Sequence, residues 1–188
     1  MSREDRFDRE DFAARYPVRK DRRSHEEARL AVPVAPPGRI WPIARALVQR
    51  AGQSVLADRN GKGRPHKGID IFAAEGTSVL AACEGEVLRV IDGRKGQTTS
   101  QQRAGLFVDM RGSAGWIYRY LHLGTARVDA GQKITCGDAI GTVAPAFTSG
   151  LSETPHLHFE IRQGDFDSRK RDYGRPVDPL RWLPPLRA

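Results

Sequence analysis

Two histidines, His156 and His158, stand one residue apart in "TPHLHFEIR", a stretch whose alternation reads as a β-strand. Strand side chains alternate between faces, so both imidazoles project from one side while Leu157 and Phe159 point the other way, into a core. A second element, "HKGID", places Asp70 four residues after His66. That spacing would align the two on a helix, but Gly68 and the following "IDIFAA" argue for an extended segment. In an extended segment residues four apart again share a face. With His158 from another strand, two imidazoles and a carboxylate form a donor set suited to zinc, with bonds of about 2.0–2.2 Å. Three protein ligands leave the fourth position to water, the catalytic rather than the structural arrangement. A structural site would draw on thiolates, and neither Cys83 nor Cys136 belongs to a Cys-x-x-Cys pair.

The elements that must position these groups are short. Beyond Asn60 come "KGIDIFA", "TSVLAAC", "GEVLRVI", "GLFVDM", "GWIYRYLHL", "QKITC", "DAIGTVA" and "HLHFEIR", separated by Gly, Asp and Asn. This spacing predicts antiparallel hairpins in an all-β sandwich or open barrel. "ACEGEVLRV" and "TCGDAIGTV" look alike and read as two equivalent hairpins. Before them, "WPIARALVQRAG" predicts one short helix, with Pro42 at its first position, Ile43 and Leu47 at i and i+4, and Gly52 at its end. "DGRKGQTTSQQRAG", Asp92 to Gly105, reads as a polar, mobile loop, and "APAFTSGLSETP" leads into the paired histidines. Residues 1–37, rich in charge and closed by "VPVAPPG", are expected to form a flexible arm and joint, with one domain over 38–188. His25 falls in that arm and reads as solvated; Trp41, Trp116 and Trp182 read as packing residues.

Composition narrows the partners. Lys and Arg outnumber Asp and Glu by 31 to 23, a net charge of +8, which favours anionic partners such as nucleic acid, anionic membrane or bacterial wall. The surplus is scattered, and the strands carry no RNA-recognition motif or aromatic stacking pattern, so nucleic acid is not expected. No apolar run reaches the eighteen or so residues of a membrane span. "MSREDRFDREDFAARYPVRKDRR" lacks the apolar region of a Sec-type leader, so the export route is open. Two cysteines are too few for a disulfide framework; one bridge is conceivable, and two inert thiols are the expectation.

"RPHKGIDIFAAEGTSVLAACEGEV", "YRYLHLG", "DAGQKITCGDAIGTV" and "PHLHFEIR" together resemble the lysostaphin-type zinc metallopeptidases, the LytM or M23 peptidase family. The resemblance runs from about Arg64 to Leu183. It implies a small antiparallel β fold of the duplicated hybrid motif kind and one zinc ion per monomeric chain. It further implies endopeptidase activity on the cross-bridges or stem peptides of bacterial peptidoglycan, at the cell wall in the periplasm or outside the cell. Carried over by position, it makes His66, Asp70 and His158 the metal ligands and His122 and His156 the catalytic histidines. Tyr120 matches a tyrosine that stands two residues before the catalytic histidine, with a role towards substrate or oxyanion. The division of proton transfers between His122 and His156 stays open, as does Glu160, which shares the face of His158 either as its partner or as a solvated carboxylate. The alternative is a catalytically silent wall-binding or regulatory module on the same fold; a complete metal set weighs against it.

Overall fold

The computed structural model describes residues 39–52, 65–112, 115–150, 152–167 and 173–185. The arm and joint expected over residues 1–37, with His25, lie outside the described residues. Ten strands follow in chain order: β1 Arg50–Gly52, β2 Ile69–Phe72, β3 Ser78–Leu80, β4 Gly85–Asp92, β5 Leu106–Gly112, β6 Ile117–Ala126, β7 Lys133–Ile134, β8 Ala139–Val143, β9 His156–Gln163 and β10 Arg175–Val177. All pair antiparallel, in the order β1-β2-β9-β6-β5-β4-β7, with β10 on β9, and β8 bridging β6 and β3. The sheet is not closed on itself, so the expected all-β architecture takes its open form. The two look-alike segments both enter strands, β4 after Cys83 and β8 after Cys136. Neither cysteine is in a disulfide, and burial pushes the Cys83 thiol pKa up to about 11.

Alternation along the central strands builds the core. Ile69 and Ile71 of β2, Leu157, Phe159 and Ile161 of β9, Tyr118 and Tyr120 of β6, and Val108 and Met110 of β5 join one apolar cluster. The opposite face of β9 is polar, yet it too is buried, because His158, Glu160 and Arg162 are covered. The three tryptophans pack as expected. Trp41 donates to the Pro184 carbonyl at 2.7 Å, and Trp116 meets Trp182 edge to face at 4.5 Å.

Two local expectations are corrected. The helix predicted over Trp41–Gly52 is reduced to one 3-10 turn at Arg45–Leu47. Ile43 enters the core while Leu47 stays 53% exposed, so the pair does not define a buried stripe. The chain then extends as β1, whose pairing occupies the free edge of β2; Gln49 N–H donates to Phe72 O at 2.9 Å. The stretch Asp92–Gly105 is ordered, with a 3-10 turn at Gly93–Lys95 and a helix α1, Thr99–Ala104. Thr98 and Gln101 form a reciprocal capping box and Gly105, at φ 65°, ends the helix.

β6 is the strand on which the fold turns. Through Leu121 it pairs with β9, and from Leu123 it pairs with β8. Between the Tyr120–Val108 and Leu123–Leu106 pairs, β6 spends two residues where β5 spends one. The extra residue makes a β-bulge, and His122 sits in it at φ 64°.

Candidate metal centre and its histidines

Asp70 and His158 are direct cross-strand partners, so the β2–β9 register alone brings their side chains together on one face. His66 stands just before β2 and reaches the same point. All three are buried, at 4%, 3% and 7% exposure for His66, Asp70 and His158. Three atoms converge: His66 Nε2 lies 3.2 Å from Asp70 Oδ1 and 3.1 Å from His158 Nδ1, and His158 Nδ1 lies 2.8 Å from Asp70 Oδ1. Donors on a tetrahedral zinc are separated by about 3.3–3.6 Å, so the triangle needs to open only slightly to hold the ion.

The chemistry of the donors also fits a cation. Glu160, two residues along the same face, accepts from His158 Nε2 at 3.1 Å. Burial would raise the Glu160 carboxyl, but Arg162 and His158 outweigh it and hold it well below the usual range. An ionised Glu160 fixes the proton of neutral His158 on Nε2 and leaves Nδ1 a bare lone pair. That lone pair would face Asp70 Oδ1 2.8 Å away; burial opposes charge on both groups, but a proton shared across this gap raises the His158 pKa and, with the His66 hydrogen bond, holds the Asp70 carboxyl far below the ordinary range. Two such acceptors 2.8 Å apart need a proton or a metal ion between them.

Glu160 is therefore the partner of His158 and not a solvated carboxylate. Its other oxygen accepts from Arg162 Nε at 2.5 Å, and Arg162 donates through a terminal nitrogen to the Tyr173 carbonyl at 2.7 Å. Beside them, the fully buried Asp109 accepts from Arg119 Nε and Arg89 Nε, each at 2.7 Å. The ring of Tyr173 lies over all three guanidinium groups at 5.0–5.9 Å. Charges taken out of water are costly unless paired, and here each is paired under an aromatic cover.

The remaining histidines flank the triangle. His156 is half-buried; its Nδ1 lies 2.9 Å from both Thr154 O and Ser152 Oγ. The Thr154 carbonyl can only accept, so Nδ1 carries the proton and neutral Nε2 offers a lone pair, 3.6 Å from Asp70 Oδ1. His122 should point away by alternation, because its neighbour Leu121 opposes His158 on the site face. The bulge reverses this and brings its ring to 4.9 Å from His156 and 5.8 Å from His158. A non-glycine residue in this left-handed region costs about 1–2 kcal/mol. Burial, then the nearby His158 and His156, push the His122 pKa well below its ordinary value. Gly150, at φ 84°, passes so close that a Cβ there would lie 1.9 Å from His122 Nδ1.

Tyr120 is not brought to this cluster, which corrects the expectation for it. It opposes Phe159, packs against that ring at 5.2 Å, is fully buried, and accepts from the Ala82 N–H at 2.9 Å. Counting two residues back from His122 crosses the bulge, so the shared face is lost. Arg162, Ser152 and Gly150 are the contributors that sequence reasoning missed. For Arg162 a signal existed, since the period of two from His158 runs on through Glu160 to it.

Comparison with known proteins identifies the family of the chain. Residues 64–179 match the model of Peptidase family M23. The chain is 31% identical over 144 residues to Cell division protein DipM of Caulobacter vibrioides, covering 77% of this chain and 20% of that protein. It is 28% identical over 144 residues to Murein hydrolase activator NlpD of Escherichia coli, covering 77% and 31%. The chain thus spans about a fifth to a third of these relatives. Among solved structures, the catalytic domain of lysostaphin from Staphylococcus simulans matches with a TM-score of 0.57 at 25% identity, over 71% of this chain and 91% of that one. A zinc-containing peptidase from Vibrio cholerae matches with a TM-score of 0.58 at 26% identity, over 77% and 40%.

Proposed function

Since the chain belongs to peptidase family M23, we propose that it is a zinc-dependent endopeptidase cleaving peptide bonds of bacterial peptidoglycan, in a cross-bridge or a stem peptide. The observation that carries this reading is the convergence of His66 Nε2, Asp70 Oδ1 and His158 Nδ1 within 3.2 Å of one another, with the His158 proton drawn off by Glu160. A zinc ion held by these three atoms would polarise a carbonyl and make water acidic enough to yield hydroxide near pH 7. His156 is the general base: its proton is committed to Thr154, and its free-electron nitrogen faces the cluster. His122, kept neutral by burial, lies against His156 and relays a proton towards the leaving amine. The peptidoglycan assignment draws support from the murein named for NlpD, and it puts the site of action at the cell wall, in the periplasm or outside the cell. No helix among the described residues is long and apolar enough to cross a membrane.

The test is release of new amino groups from purified peptidoglycan by the zinc-loaded chain, stopped by a chelator and restored by zinc. Inactivity on several wall chemotypes with zinc bound would sink the proposal. A second reading is a catalytically silent wall-binding or regulatory module, favoured by the activator name of NlpD. Protein purified without chelator that holds no zinc would favour it.

A further inference from the structure

A row of side chains crosses the sheet beside the metal centre. Antiparallel pairing sets Arg50 of β1 against Phe72 of β2, and Phe72 against His156 of β9. Directly opposed residues share a face, so these three project from the same side as Asp70 and His158, which lie two residues along. The contacts are close. The Arg50 guanidinium carbon lies 3.9 Å from the centre of the Phe72 ring, and that ring lies 5.2 Å from the His156 ring. Guanidinium and imidazole are therefore separated by no more than those two distances laid end to end.

Arg50 differs from the arginines that gather behind Glu160 and Asp109. Arg89, Arg119 and Arg162 are committed to Asp109 or Glu160. Arg50 is exposed and, among the described residues, takes part in no ion pair. The guanidinium carbon lies 3.9 Å from the Phe72 ring centre, and an arginine stacked on a ring by its flat face keeps its edge N–H groups for the fork that grips a carboxylate at two points.

We propose that Arg50 is a specificity-determining residue that anchors a carboxylate of the substrate peptide. An extended peptide advances about 3.3 Å per residue, so the anchored group belongs to a residue within about three of the bond cut. This rests on the peptidase reading and narrows it: the substrate is a stem-peptide cross-link with a free carboxylate near the scissile bond, rather than an uncharged oligoglycine bridge.

The experiment reads binding, so it does not depend on turnover. The full zinc-loaded chain carrying His122→Ala is titrated calorimetrically with a synthetic cross-linked stem peptide bearing that carboxylate, and with the same peptide as its carboxamide. The carboxylate form should bind about tenfold or more tightly. Adding Arg50→Gln should erase the difference and leave carboxamide affinity unchanged, with zinc content and melting temperature unaltered. Equal affinity for the two peptides, binding of neither, or an equal loss on both in Arg50→Gln overturns the proposal. If the carboxylate preference and its loss are found while the parent chain cuts no wall, the peptidase reading fails and the anchor stands.

Discussion

Replacing Glu160 by glutamine changes one atom and sets two donors in competition. Glu160 now accepts from His158 Nε2 at 3.1 Å through one oxygen and from Arg162 Nε at 2.5 Å through the other. A glutamine offers one acceptor oxygen and one NH₂ group. Arg162 is charged, buried and cannot deprotonate, so it takes the oxygen. The NH₂ group then faces His158 Nε2, which must become the acceptor, and the His158 proton moves to Nδ1. That is the atom aimed at Asp70 and His66, so it must lose its proton before it can bind metal. Loss of such an outer partner typically costs 10–100-fold in metal affinity, about 1.4–2.7 kcal/mol. Competition with a chromogenic chelator at pH 7 measures this directly, with thermal unfolding of the metal-free protein as control. Zinc affinity within twofold of the parent, in a folded variant, would refute the tautomer argument and reduce Glu160 to packing.

Three further outcomes follow from the site. His122→Ala should keep stoichiometric zinc and lose about 10²–10⁴ in turnover, as removal of an acid–base group does; loss of zinc would make His122 a ligand. The His122 imidazole should titrate below the pH of about 6.5 that an unperturbed imidazole sets, because burial and its neighbours depress its pKa and keep the ring neutral as pH falls; a midpoint at or above about 6.5 for its ring protons in an NMR titration would contradict this. Gly150→Ala should lower turnover while zinc stays bound, since its Cβ would press on His122 Nδ1; parent-like kinetics would show that the loop yields without disturbing the ring.

The convergence of His66, Asp70 and His158 was legible in the sequence because it depends on spacing and strand alternation alone: His66 and Asp70 in one extended segment, His158 in another. The orientation of His122 was not, because the bulge that re-aims it arises from the different registers β6 keeps with β5, β9 and β8. Tyr120 went astray for the same reason. Glu160 could not be decided locally, since the Arg162 that pairs with it is itself held by the distant Tyr173 carbonyl. The helix at Thr99–Ala104 had a readable signature in Thr98, Gln101 and Gly105, outweighed by the polarity of the stretch. The helix expected at Trp41–Gly52 obeyed local rules and lost to the pairing of β1 with β2, which no short window shows.

The pairing of β2 with β9 also dictates when a metal can be captured during folding. Asp70 is 88 residues from His158 and His66 is 92, so the donors meet only after one of the longest loops in the chain has closed. Hairpins such as β4–β5 and β5–β6 close over far shorter spans, and loop-closure entropy favours them first. An early zinc ion would find only His66 and Asp70 together, two of the three donors. On the proposed zinc reading the ion would be a latch on a finished sheet and not a template for it: it should leave the refolding rate nearly unchanged and slow unfolding, which paired stopped-flow traces with and without the ion would reveal.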